Sequence, residues 1–167
     1  MNANIEMQGL KNPSTESLDR ALANHPFLSG LSSHQIQLLR DFAMPAQFAP
    51  NEVLFREGDP ANRFYLLKSG RVALESFGIS KGRVLIQTLY GGDVLGWSWL
   101  LPPYVWHFDA RALDYTEAVF IYATPLREEC ENDHELGYEL FKRMSEIMMR
   151  RLQATRRQLL GLDAPPL

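Results

Sequence analysis

Short apolar runs separated by glycine turns fill the middle of the chain, and nothing between them is long enough for the crossover helix that parallel strands require. That constraint leaves antiparallel β structure from Phe48 to Tyr122. The expected strands are Val53–Phe55, Arg63–Leu67, Arg71–Phe77, Arg83–Leu89, Val94–Leu95, Phe108–Leu113 and Ala118–Tyr122. Their breaks carry turn chemistry: Gly58-Asp59-Pro60, Ser69-Gly70, Gly78 to Gly82 and Gly91-Gly92-Asp93. Many short strands with such turns close into a double-sheet barrel or jelly roll. The expected class is mainly β with flanking helices.

The flanks read differently. Residues 1–16 are polar and are expected as a mobile arm, before a short helix around Ser17–Ala23. Ser32 opens a capping box with Gln35, and Ile36, Leu39 and Phe42 follow as one apolar stripe. The sensor-like body is thus expected over residues 17–124. From residue 125 to 162 apolar residues return at helical spacing, first in a short helix over Leu126–Asn132. A long helix follows through Leu136, Leu140, Met144, Ile147, Met148, Leu152, Thr155, Leu159 and Leu162, with residues 163–167 left as a tail. At 3.6 residues per turn it exceeds seven turns, more than a small barrel covers. Its far half keeps 3-4-3 apolar spacing, which would be an unprotected edge if exposed. Pairing with its own copy in a parallel coiled coil buries that edge. Met144, Ile147, Met148, Leu152, Thr155 and Leu159 are therefore the expected dimer-helix residues, and a homodimer is the expected assembly. Folding of the seam back onto its own domain is the alternative.

The series Phe64-Tyr65-Leu66-Leu67, Lys68-Ser69-Gly70, Val72-Ala73-Leu74, then Gly91-Gly92-Asp93 and Val94-Leu95-Gly96, resembles the jelly-roll core of the cyclic-nucleotide-binding domain. With the helices added, residues 26–161 resemble the sensor half of the catabolite-activator/fumarate-nitrate-regulator (Crp/Fnr) group of bacterial regulators. The resemblance implies a double-stranded β-helix with a long dimer helix, and a regulatory binding role without catalysis. Members usually carry a helix-turn-helix domain after that helix. The stretch Leu162–Leu167 holds no recognition helix, so a free-standing sensor is expected.

In the family an acid after the cassette glycine takes the ribose hydroxyl, and an arginine on the next segment neutralises the phosphate. Aligned on Gly92–Gly96, the acid position is Trp97; aligned backwards from Arg111-Ala112, the arginine position is Trp106. Arg111 lies five residues on, an odd offset that points to the other strand face. Burying a phosphodiester needs a paired cation and oriented donors. Weak or absent binding of cyclic AMP and cyclic GMP follows as an expectation.

All three tryptophans lie between Gly96 and Phe108. Leu95, Gly96, Trp97, Ser98, Trp99, Trp106, His107 and Phe108 are the expected pocket residues, with Pro102-Pro103 holding the loop extended. The rings either fill the old pocket or line a new one for a flat or apolar effector, with Ser98, His107 and indole N–H groups as polar handles.

Other chemistries find little support. Cys130 is the only cysteine and sits among Glu128, Glu129 and Glu131, which excludes an internal disulfide and disfavours a reactive thiolate. His25, His34 and His134 read as structural or solvated, and His107 as scaffold more than as a haem ligand. No metal or other cofactor is expected, and no catalytic residues converge. No apolar run reaches membrane-spanning length and the start carries no secretory pattern, which makes the cytoplasm the expected location. Lys142, Arg143, Arg150, Arg151, Arg156 and Arg157 make the long helix basic, but the chain carries a net charge of −3. A solvated coiled-coil flank is expected there in preference to a nucleic-acid surface, with a transcription-associated nucleic-acid binder and a protein-interaction subunit with a vestigial pocket as alternatives.

Overall fold

In the computed structural model residues 13–161 are described, and two four-stranded antiparallel sheets face one another with helices packed on one side. The helices are α1 (Pro13–Asn24), α2 (Ser33–Asp41), α3 (Ala123–Asn132) and α4 (His134–Leu159), with a 3-10 turn at Pro26–Leu28. The strands are β1 (Ala43–Phe48), β2 (Val53–Phe55), β3 (Arg63–Ser69), β4 (Arg71–Gly78), β5 (Gly82–Tyr90), β6 (Val94–Leu95), β7 (Asp109–Ala112) and β8 (Thr116–Tyr122). One sheet has the order β1-β8-β3-β6 and the other β2-β7-β4-β5. This is the expected jelly roll.

Strand ends shift by one or two residues, and three larger differences stand out. α1 begins at Pro13, so residues 13–16 belong to a helix and not to the arm; proline suits a first turn, where no partner exists for a backbone N–H. The remainder of that arm, residues 1–12, and the tail with Leu162 lie outside the described residues. α3 starts at Ala123, inside the span assigned to the barrel. β1 was not expected at all, because Pro45 interrupts it; the strand is tolerated because it lies at a sheet edge and pairs only with β8.

Two cores follow from the pleat of β3. Phe64 and Leu66 face the helices, where they meet Leu22, Leu39, Ile121 and Leu126. Tyr65 and Leu67 face the other sheet, where they meet Val72, Leu74, Leu89 and Leu95. A strand buried on both faces reads as a continuous apolar run, which explains Phe64-Tyr65-Leu66-Leu67.

α4 splits the expected dimer residues. Leu136, Leu140 and Met144 are fully buried against the domain, and half-buried Ile147 packs on the same core. Met144 and Ile147 are therefore domain-core residues, not seam residues. Met148 and Thr155 are half-buried, while Leu152 is 67% and Leu159 83% exposed. Tyr138 and Phe141 are exposed as well and extend the stripe toward the helix start. At about 100° per residue the two stripes lie roughly a third of a turn apart. Both repeat every three to four residues, so spacing alone merged them.

Candidate functional site

The cassette region begins where β6 ends. Gly96 has φ +96°, and a Cβ built there would lie 2.5 Å from Cζ3 of Trp106. Only glycine lets the backbone come this close to the ring. Trp106 is itself pinned by its backbone: its N–H donates to the Asp59 carbonyl and its carbonyl accepts from Gly58 N–H, both at 2.9 Å. The indole lies flat on Phe55, with ring centroids 3.6 Å apart and planes at 8°. Phe55 in turn stacks on Tyr65 at 6.2 Å. Phe48 and Phe120 meet Tyr65 edge-on at 5.9 and 6.2 Å. Burial raises the Tyr65 hydroxyl pKa, and neighbouring Arg63 partly offsets this.

This aromatic column floors a cavity of about 450 Å³ at one end of the barrel. Glu52, Asp59, Asn62 and Arg63 stand at its rim, and the Arg63 guanidinium lies 4.9 Å over the Phe120 ring. Aromatic rings and polar side chains line the cavity together, which suits a planar ligand with polar edges.

The eight expected pocket residues do not converge. Leu95, Gly96 and Trp106 meet in the barrel interior. Trp99 points the other way, fully buried in the helical core and stacked on Phe64 at 5.0 Å. Its Nε1 has no hydrogen-bond partner among the described residues. Trp97, Ser98 and His107 form a cluster away from Trp106, with Trp97 packed against the helical core. The Trp97 ring stacks on exposed His107 at 5.0 Å, and buried Ser98 Oγ lies 2.9 Å from His107 Nδ1. Phe108 is half-buried. Leu100 N–H donates to the Trp97 carbonyl, so the segment turns and its consecutive side chains diverge.

The Pro102-Pro103 loop is not extended either. Its peptide is cis, and Tyr104 N–H donates to the Leu101 carbonyl to close a turn. Arg127 of α3 straps this loop down, donating to the Trp99 carbonyl at 2.8 Å and covering the Tyr104 ring at 4.2 Å. Sequence reasoning missed Arg127, Arg63 and the rings Phe48, Phe55, Tyr65 and Phe120. The rings were within reach, since inward-facing aromatic positions recur on four strands; Arg127 left no local signal.

Arg111 lies on the outer sheet face, because it alternates with buried Ala110 and Ala112 on β7; Trp106 precedes that strand, so the five-residue offset does not decide it. Arg111 makes a two-pronged pair with buried Glu75 at 2.6 and 3.2 Å and reaches Asn51 at 3.1 Å. Arg83 lies 3.5 Å from the same Glu75. Glu75 is the one buried acid among the described residues, and both of its cations are outside the barrel. No guanidinium–carboxylate pair faces the barrel interior among the described residues. Burial, then Asp133, Glu129 and Glu131, push the Cys130 thiol up to about 11, opposite to nucleophile activation.

A two-sheet jelly roll with a positive-φ glycine after β6 and a long C-terminal helix define the class of fold. The model of the cyclic nucleotide-binding domain family matches residues 45–133, and the chain belongs to that family. A regulatory subunit of cAMP-dependent protein kinase from Hypocrea atroviridis is 35% identical over 71 residues, covering 42% of this chain and 14% of its own length. The chain thus spans a small part of the curated relatives it matches. A candidate cyclic nucleotide-binding protein from Geobacter metallireducens superimposes with a TM-score of 0.70 at 28% identity, covering 83% of this chain and 98% of that one. The regulatory subunit of a cAMP-independent protein kinase A from Trypanosoma cruzi, bound to guanosine, superimposes with a TM-score of 0.59 at 23% identity, covering 66% of this chain and 39% of that one. Among the described residues, no helix is long and apolar enough to cross a membrane.

Proposed function

We propose that this is a non-catalytic regulatory binding module whose barrel takes a flat, uncharged ligand in place of a cyclic nucleotide. The observation that carries the reading is Trp106. Its ring rests on Gly96 and Phe55, and it stands at the sequence position that the family resemblance gives to the phosphate-binding arginine. Charge-assisted contacts to a buried phosphate are worth about 1.5–3 kcal/mol each, and neither cassette anchor is present in the sequence. The aromatic cavity beside Trp106 offers stacking surface instead. The Trypanosoma cruzi protein bound to guanosine is a fold neighbour with a ligand that lacks a phosphate.

The signal is read out through α4. Its inner stripe packs on the barrel core, and its outer stripe pairs with a second copy in a homodimer. The working location is the cytoplasm. A second reading, a protein-interaction subunit with a filled pocket, draws on the 3.6 Å Phe55–Trp106 stack. Titration of guanosine and adenosine against intrinsic tryptophan fluorescence separates the two, alongside native mass spectrometry of gently purified protein. A saturable signal with a nucleoside, or a retained small molecule on a dimer, supports the sensor. Neither signal, on a dimer that still forms, leaves the interaction subunit.

A further inference from the structure

A second cavity, of about 310 Å³, lies where α4 crosses the β5–β6 side of the barrel. Three arginines of α4 line it, Arg143, Arg150 and Arg151, against the carboxylates of Asp93 and Glu146. Arg143 and Arg151 are two helical turns apart and share a face with Ile147, which packs on the core. The helix is therefore seated with two guanidiniums turned toward the domain.

Neither guanidinium is fully satisfied there. Arg143 donates to the Phe27 carbonyl at 2.6 Å and approaches Glu139 at 3.4 Å, yet its Nε is buried without a partner. Arg151 donates only to the Val94 carbonyl, at 3.0 Å, and its Nε is likewise buried and unpartnered. Among the described residues Arg151 has no carboxylate in ion-pair range. Asp93 acts on it from farther away, and one Asp93 oxygen is already taken by Tyr90 N–H at 2.8 Å. Burial pushes the Arg151 guanidinium down to about 10, and the Asp93 charge offsets this only in part. A buried charge left unpaired is strongly unfavourable, and the group that complements a guanidinium fork is an oxyanion with two coplanar oxygens.

We propose that this cavity binds a small oxyanion, the phosphate or carboxylate group of a metabolite or the free ion, held between α4 and the start of β6. Arg151 and Arg143 supply the inner donors and Arg150 the outer charge. Such a ligand touches the barrel and the helix at once, so its binding tightens the seat of α4. The site is independent of the aromatic cavity. None of the three tryptophans lines it, and the two cavities share no lining residue.

The experiment measures melting temperature and isothermal titration heats of the full chain with inorganic phosphate, pyrophosphate and citrate, against sodium chloride at matched ionic strength. A saturable rise in melting temperature with at least one anion, at a submillimolar dissociation constant, is expected. Tighter binding of pyrophosphate than citrate marks a phosphoryl ligand, and the reverse order marks a carboxylate. Arg151→Met keeps the apolar stem and should weaken binding at least tenfold; Arg150→Gln, at an exposed position, should weaken it several-fold. If Arg151→Met does not fold, Arg150→Gln decides. Absence of saturable binding overturns the proposal, as does binding unchanged in the variants that fold. A change of oligomeric mass in Arg151→Met with no anion effect overturns it too, because the arginine then serves the partner chain.

Discussion

Gly96→Ala tests the geometry at the heart of the barrel. Two costs combine at this position. The backbone sits at φ +96°, where an L residue is disfavoured by about 1–2 kcal/mol. The new methyl would also meet Trp106 Cζ3 at 2.5 Å and Cη2 at 2.7 Å, well inside contact distance. Trp106 cannot retreat easily, since its backbone bonds to Gly58 and Asp59 and its other face lies on Phe55. Overpacking of that kind costs about 1–3 kcal/mol. The substitution should therefore lose about 2–5 kcal/mol, read as a lower urea midpoint at constant slope. A double-mutant cycle separates the parts. In a Trp106→Leu background the methyl has room, so Gly96→Ala should cost only the backbone share, about 1–2 kcal/mol. A coupling energy of about 1–3 kcal/mol is the expected result. Additive effects, within about 0.5 kcal/mol, would refute the contact and with it the filled cassette.

Three further outcomes are expected. Met144→Ala should destabilise the fold by about 2–5 kcal/mol and leave the oligomer intact, whereas Leu152→Glu should dissociate the dimer in sedimentation and leave the fold intact; a swap of these phenotypes would reverse the assignment of the two α4 stripes. Arg127→Met removes a charged donor to the Trp99 carbonyl and should cost about 1–3 kcal/mol, with faster hydrogen exchange confined to residues 97–104; uniform protection there would show that the strap is dispensable. His25 is buried, with Nε2 on the Leu67 carbonyl at 3.2 Å and Nδ1 accepting from Phe27 N–H, and burial lowers its pKa from 6.5. Its neutral form is the one folded, so stability is complete above pH 6.5 and falls as pH drops toward the lowered pKa. His25→Gln should flatten that part of the pH–stability curve, and an unchanged curve would remove His25 from the cause.

The strands were legible because their signal is local. Glycine turns bound each apolar run, and seven of the eight strands lie where alternation and turns put them. β1 was hidden by Pro45, whose missing donor matters only in a central strand, and edge position is a tertiary fact. Trp106 was singled out by aligning back from Arg111 on the family's pattern; it precedes β7, so strand alternation does not give its direction. Trp97 and Trp99 could not be placed, because they sit in a turn where side-chain direction depends on φ and ψ at each residue. The same limit applies to α4. Period 3.6 reveals apolar stripes, but whether Met144 faces the domain or a partner is set by where the barrel lies against the helix.

Isothermal titration with cyclic AMP and cyclic GMP tests the displaced cassette most directly. The expected result is no saturable heat at micromolar to submillimolar nucleotide, with Trp106 still stacked on Phe55. A micromolar dissociation constant for either nucleotide would mean that the barrel admits a buried phosphate despite the indole, and the central claim would fail.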